Sequence, residues 1–257
     1  MWFWGELLNY WWMDLNIGRE FETMNDDEVQ RDGPLIKKPG SYFIGGDLHT
    51  DSRKVLAARI SPSMWRMDDG KSYEHRISFE CELRSTTNFE FRIEPAYSHR
   101  SSYAQWIDRF EEAVNSKTVY HYVFGELDSR MVDVMMRGGI CFTPNLTLEL
   151  FFQPFVAIGD YKAIKELAKP GSYDFKPYNL NENKDFHDRS FKSNVVLRWE
   201  FRPGSTLFVV WSQSRGMSLV NPTLDDLELR PFERLKSSFT DDGSNIFLVK
   251  INYWIGV

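Results

Sequence analysis

The chain has 257 residues, 16% of them aromatic and 26% charged, with a formal net charge of −6 and a mean hydropathy of −0.44. No window approaches the roughly 18 uncharged apolar residues of a transmembrane helix, so a helical membrane protein is excluded. A β-barrel is not, because only every second residue of a barrel strand faces lipid, and the acidic balance argues against a nucleic-acid partner. Cys81 and Cys141 are the only cysteines, and neither has a CxxC or a histidine ligand set beside it. Two buried or lipid-facing thiols are expected rather than a disulfide.

Met1-Trp2-Phe3-Trp4-Gly5-Glu6 carries no basic segment, and no small-residue cleavage site follows. An exported barrel of this kind would be a mature form or, preferred here, a fragment of a longer precursor. Residues 6–23 read as one aromatic-rich strand. Asn25-Asp26-Asp27-Glu28 and Arg31-Asp32-Gly33-Pro34 then read as loop to about Gly40. Strands follow over 41–50 and 55–67, with turns at Asp51-Ser52-Arg53 and Asp68-Asp69-Gly70-Lys71.

Tyr73 to Arg84 alternates cleanly, with Tyr73, His75, Ile77, Phe79, Cys81 and Leu83 opposed to Glu74, Arg76, Ser78, Glu80, Glu82 and Arg84. Past Ser85-Thr86-Thr87-Asn88 the pattern resumes, with Phe89, Phe91 and Ile93 against Glu90, Arg92 and Glu94. Residues 100–116 read as a loop with a short helix over WIDRFEEAV. Residues 119–142 read as one over-long strand with a bulge near Gly125, or as a strand preceded by a small hairpin at Asp128-Ser129.

The segment Val132–Ile158 is the central hairpin, turning at Phe142-Thr143-Pro144-Asn145. Val132, Val134, Met136, Ile140 and Phe142 share a face with Leu148, Leu150, Phe152, Val156 and Ile158; Asp133, Arg137, Thr147, Glu149 and Gln153 take the other. A long loop with a helical turn or two over Tyr161–Ala168 is expected next. A hairpin around Arg202-Pro203-Gly204-Ser205, a loop 215–245 carrying Leu224-Asp225-Asp226-Leu227 and Asp241-Asp242-Gly243, and a last strand from Ile246 to Val257 complete the chain.

Three hairpins, LRSTTNFEFRIEP, CFTPNLTLELFFQP and WEFRPGSTLFVVW, share one plan: strand, short turn, strand, then a long connection. Short turns at one end and long loops at the other are the pattern of outer-membrane barrels. The expectation is therefore all-β: one antiparallel transmembrane barrel over 1–257. It has about ten strands, or twelve if 119–142 or the first segment divides, and long extracellular loops near 24–40, 100–117, 159–191 and 215–245. A soluble β-sandwich or propeller is the competitor. Its strands are usually shorter than the runs found here.

Phe142-Thr143-Pro144-Asn145-Leu146, Arg198-Trp199-Glu200, Arg202-Pro203-Gly204-Ser205 and the run Lys250 to Gly256 carry a resemblance. From about Arg31 onward the chain resembles the C-terminal part of a family of Gram-negative outer-membrane proteins. In these, a domain similar to family-nine carbohydrate-binding modules precedes a large β-barrel domain of unknown function. The resemblance implies a barrel in the bacterial outer membrane and supplies no reaction. The sequence lacks that first domain and the earlier strands, so sugar binding is not carried over. The chain reads as the C-terminal portion of a larger barrel, or as a shortened product closing by itself.

With the apolar face toward lipid, Arg76, Glu80, Glu82, Arg84, Glu90, Arg92, Glu94, Asp133, Arg137, Glu149, Gln153, Arg198, Glu200 and Lys250 become lumen-lining candidates. A structural ion-pair network is the first expectation for them, and a polar conduit the second. Tyr122, Trp199, Trp211 and Tyr253 suit an interfacial girdle, whereas parity sends Trp254 inward with Lys250. Glu80/Glu82 and Glu90/Glu94 are too ordinary in an alternating strand to be read as a catalytic pair. His49 with Asp47 and Asp51, His187 with Asp185 and Asp188, and Asp241-Asp242-Gly243-Ser244 match no metal motif. No enzyme activity, metal or cofactor is expected. The expected role is passage or transport of a solute or polymer, and the expected partners are outer-membrane lipid and the missing N-terminal part of the same protein or other envelope proteins. A soluble β-rich carbohydrate-binding module is the alternative.

Overall fold

The computed structural model describes residues 1–26, 29, 33–86, 88–220 and 231–256. Most of the acidic and Gly-Pro loop near 27–32, Thr87, Leu224–Leu227 and Val257 lie outside the described residues. The rest is one large antiparallel sheet and a small one. In chain order the strands are β1 (Trp2–Glu6), β2 (Trp12–Glu20), β3 (Thr23–Asn25), β4 (Ile36–Lys38), β5 (Ser41–His49), β6 (Leu56–Met67), β7 (Tyr73–Thr86), β8 (Phe89–Val114), β9 (Lys117–Thr143), β10 (Leu146–Leu167), β11 (Phe175–Pro177), β12 (Phe186–Arg202), β13 (Ser205–Val220) and β14 (Gly243–Asn252). A short helix α1 (Pro231–Leu235) and a 3-10 turn (Lys236–Phe239) precede β14.

The large sheet runs β1-β2-β5-β6-β7-β8-β9-β10-β12-β13-β14, with β11 added beside β10; β3 and β4 form the second sheet. Each strand on this path is antiparallel to its neighbour. Among the described residues β1 and β14 each have one partner, so the sheet is open. A single continuous sheet is not the stacked pair of a sandwich.

The expected first strand is a hairpin. Leu7 N–H donates to the Trp11 carbonyl at 2.7 Å, and Tyr10 takes a left-handed φ of 63° between β1 and β2. That division makes eleven strands along the path rather than ten.

Residues 100–117 are not a loop and hold no helix. β8 and β9 continue together to a tight turn at Asn115 and Ser116, whose φ values of 50° and 63° are those of a type I′ hairpin. Likewise β10 runs on through Tyr161–Leu167 as strand, leaving 168–185 as the connection to β12. Both departures have one cause. β8 carries register shifts between Ser102 and Gln105 and between Trp106 and Asp108, and β10 one between Lys162 and Lys165, where Ala163 has φ 45°. A bulge inserts an extra residue and breaks the two-residue period, so Tyr161, Ile164 and Leu167 fall three apart and imitate a helix. The irregularity expected near Gly125 thus lies on both neighbours of β9, opposite Gly125. In the connection 215–245, β13 extends to Val220 and β14 starts at Gly243. The last strand ends at Asn252, short of the expected Val257.

At the long-connection end, Val29, Ile36, Ala104, Phe124 and Leu167 form a buried cluster, with Tyr103, Trp106, Tyr122, Tyr173 and Phe175 packed against it. Tyr122 therefore belongs to this cap rather than to a girdle. Lys165 sits in it with Nζ 3.0 Å from the Tyr103 ring centroid and 3.1 Å from Glu126, a cation–π contact and an ion pair together. Replacing Phe124 with alanine should cost about 3–5 kcal/mol of cap stability. The expected readout is faster hydrogen exchange over 33–38 and 173–177, with the β6–β7 ladder unchanged.

Candidate functional site: the charged face of the sheet

Directly paired residues of an antiparallel ladder project to the same face, so register assigns every side chain. Leu148 pairs Ile140, Phe152 pairs Met136, and Val156 pairs Val132. Val132 also pairs Tyr97, and Tyr97 pairs Ile77. The apolar side therefore continues from Phe3, Leu15 and Ile44 at one edge to Val209, Val249 and Ile251 at the other.

All fourteen residues expected on the polar side share the opposite face. One row reads Glu82, Arg92, Arg137, Phe151, Asn194, Ser212 across six strands. The next reads Arg84, Glu90, Gly139, Glu149, Val196. A third carries Thr147, Arg198, Phe208 and Lys250. Arg76, Glu80, Glu94, Asp133, Gln153 and Glu200 fall on this face by the same parity.

On β7 the exposure of the two faces is inverted relative to a water-soluble sheet. On the apolar face Ile77 is 46% exposed and Phe79 43%, whereas on the charged face the side chain of Glu82 is 12% exposed and that of Asp133 24%. A sheet curled with its charged face inside accounts for this. A groove of about 960 Å³ lies on that inner side, lined by Glu82, Arg84, Glu90, Arg92, Arg137 and Glu149 among others.

Within it the charges divide into two groups. Glu82 accepts from Arg92 and Arg84, each at 2.8 Å, and Arg92 also stands 3.7 Å from Glu80 and 3.9 Å from Glu94. Arg76 lies 3.5 Å from Asp133, and Arg198 3.2 Å from Glu200. These ion pairs make up the first group. Among the described residues Glu90, Glu149 and Lys250 have no ion-pair partner, and Arg137 lies against the Phe151 ring at 5.4 Å rather than against a carboxylate. Glu90 and Glu149 flank Gly139 in one row, and the Glu90 side chain lies over Gly139, where a Cβ would meet it at 3.2 Å. Sequence alternation found these residues; which of them are already neutralised depends on distances between strands and could not be read from it.

The apolar face is covered by protein in one region. Phe232 of α1 stacks on Tyr97 at 5.6 Å, Phe239 packs on Phe191 at 4.7 Å, and Asp241 binds Arg189 at 2.6 Å. Val156 and Ile158, expected on the greasy surface, are fully buried there. Asp241 is thus an ion-pair partner rather than a mere turn residue. At the short-turn end Trp199 meets Phe201, which meets Tyr253, and the Arg202 guanidinium donates to the Tyr253 hydroxyl at 2.7 Å. Trp254 lies beyond the end of β14, packed over Gly204, so strand parity does not place it. Cys81 and Cys141 are both free, on opposite faces. No cluster of potential ligands able to hold a metal is found among the described residues.

Glu82→Gln should destabilise the sheet by about 1.5–3 kcal/mol, because two guanidinium groups lose their shared negative charge and one acceptor oxygen is replaced by an amide donor. Glu90→Gln should stay within about 0.5 kcal/mol. Denaturant unfolding of the two variants, side by side with the parent, measures the difference.

No curated protein and no solved structure matches the chain. A family described as a domain of unknown function, DUF5916, matches residues 3–257. The chain belongs to the DUF5916 family.

Proposed function

We propose that this sheet is membrane-embedded wall of a bacterial outer-membrane β-barrel, its apolar face toward lipid and its charged face lining a passage for a solute or polymer. The observation that carries the reading is the run of exposed large apolar side chains on one face of the sheet, from Leu15 and Ile44 through Ile60 and Ile77 to Val209 and Val249. Water would leave these side chains unsatisfied on the outer side, whereas lipid matches them.

The height of the apolar band agrees. On β6 it runs from Leu56 to Met64 and on β8 from Phe89 to Tyr97, nine residues each, above which come Arg66, His99, Arg130 and Asp128. At about 3.3 Å per residue and a tilt near 40°, nine residues rise roughly 23 Å, close to the ~25 Å lipid-facing band of such barrels. The short turns fall at one margin of this band and the cap beyond the other. In this orientation the turn at Pro144-Asn145 is periplasmic and the cap extracellular.

Strand direction adds a condition. With eleven antiparallel strands, β1 and β14 run the same way, so antiparallel closure takes an odd number of further strands. These would come from another part of the same protein or from another envelope protein. The soluble carbohydrate-binding alternative gains no specific support from the groove, where the Arg137 guanidinium lies over the Phe151 ring.

Single cysteines in a Cys81→Ala, Cys141→Ala background test the orientation in native membranes. Phe79→Cys and Leu150→Cys should react with a membrane-soluble maleimide and resist a charged thiosulfonate. Glu90→Cys and Glu149→Cys should do the reverse. Equal reaction of all four with the charged reagent, or solubility without detergent and no heat-dependent gel shift, overturns the proposal.

A further inference from the structure

A second kind of surface lies on the charged face, away from the groove, where β1, β2 and β5 meet. Ladder register puts Trp4, Asp14 and Asp47 in one row and Trp2, Asn16 and Gly45 in the next. Toward the short turns Trp12 pairs His49, which pairs Arg59 of β6; toward the long connections Gly18 pairs Phe43, which pairs Trp65. Arg59 pairs Glu80, so these rows share the face of the ion-pair network. The Trp4 and Trp12 rings stack at 5.3 Å, 18° from parallel, and Trp12 meets the His49 ring at 6.5 Å. The Phe43 ring lies over Gly18, where any Cβ would collide with it.

Lipid does not account for these rings, because strand alternation turns them away from the side on which Phe3, Leu15 and Ile44 stand. Packing within the protein does not account for them either, since Trp2 and Trp4 are each 62% exposed. Broad apolar surface left open on a polar face marks contact with something else. Gly18 lies six residues along β2 from Trp12, about 20 Å at 3.3 Å per residue. The rings therefore form a track along the strands rather than a single spot. A further strand joined to the free edge of β1 would add beside it in the plane of the sheet and leave Trp2 and Trp4 facing off it.

We infer that this track binds a neutral saccharide chain, its rings taking the C–H faces of successive sugar units and the polar groups between them the hydroxyls. A pyranose carries C–H bonds on its flat faces and hydroxyls around its rim. It needs flat apolar surface and hydrogen-bonding groups side by side. Trp2 and Trp4 supply the first, with Asn16 and Asp14 directly opposite them. Asp47 is held by Arg59 at 2.7 Å and by Ser61, whereas Asn16 is exposed. Glu6, Asp14 and Asp47 against Arg59 leave an acidic balance that disfavours phosphates and other anionic ligands. The near-parallel Trp4 and Trp12 rings offer flat faces, not the box of crossed rings that encloses a cation.

Passage of such a chain rests on the membrane reading; binding to the rings is measured without it. Calorimetric titration of the purified full chain, in a detergent without a sugar head group, uses maltohexaose, cellohexaose and chitohexaose as probes. Saturable binding of at least one is expected. Trp2→Leu and Trp4→Leu keep an apolar side chain but no ring, and each should weaken that binding about tenfold or more, the loss typical of an aromatic anchor. Trp4→Phe, which keeps a ring, should retain most of it. No binding of any of the three probes, unchanged binding in both leucine variants, or displacement of the saccharide by choline overturns the track. Should hydrogen exchange over 12–20 rise in Trp4→Leu, whose ring stacks on Trp12, the decision rests on Trp2→Leu. Binding without the cysteine-labelling pattern described above keeps the track and overturns the membrane reading; labelling without binding does the reverse.

Discussion

A strand sends successive side chains to opposite faces, and a hydrogen-bonded ladder locks that alternation from one strand to the next. In this chain the ladder carries Phe91, Gly138, Leu150 and Val195 on one side and Arg92, Arg137, Phe151 and Asn194 on the other, without a slip across the central strands. Everything else follows from that division. It gathers the arginines and glutamates on one face and the aliphatic and aromatic side chains on the other, and leaves each face to find surroundings that suit it. A one-residue slip at any ladder would put guanidinium groups among the phenylalanines.

The cap solves a different problem. Strands β8, β9 and β10 run well past the apolar band, and there both faces need a conventional core. Aromatic residues from β8, β9 and the 168–185 connection supply it, joined by Val29 and Ile36 from the first long connection. Charges inside this core are bound individually: Lys165 by a ring and a carboxylate, His121 by two carboxylates. The same chain therefore uses charge in two ways, as a continuous lining below and as discrete ties above.

Much of this was legible in the sequence, and the limits are instructive. Tyr73–Arg84 and Leu146–Phe152 display both faces because nothing interrupts their period, and the short turn Pro144-Asn145 is marked by its own chemistry. Trp106–Val114 and Tyr161–Leu167 mislead because bulges shift their phase, and a bulge leaves no mark of its own in residue type. Leu7–Trp11 was missed as a turn because its bend is made by Asn9 and a left-handed Tyr10, not by glycine or proline. Alternation marks the charged residues as a set, yet their sorting into tied and untied members, Glu82 against Glu90, depends on distances across neighbouring strands that alternation does not encode. The covering of Val156 and Ile158 by α1 was equally invisible, since it joins segments some 75 residues apart.

The two margins of the sheet bear on how such a molecule comes into being. β14 presents Ile246, Phe247, Leu248, Val249 and Ile251, all at least half exposed, with Lys250 as its one charged residue, and β1 presents Trp2, Phe3 and Trp4. Neither carries the proline, the bulge or the run of charges with which proteins ordinarily guard a free strand. An unguarded margin is a template for whichever strand arrives first. In this chain that template is offered at both ends of the same sheet, so two margins rather than one are open to pairing with another strand.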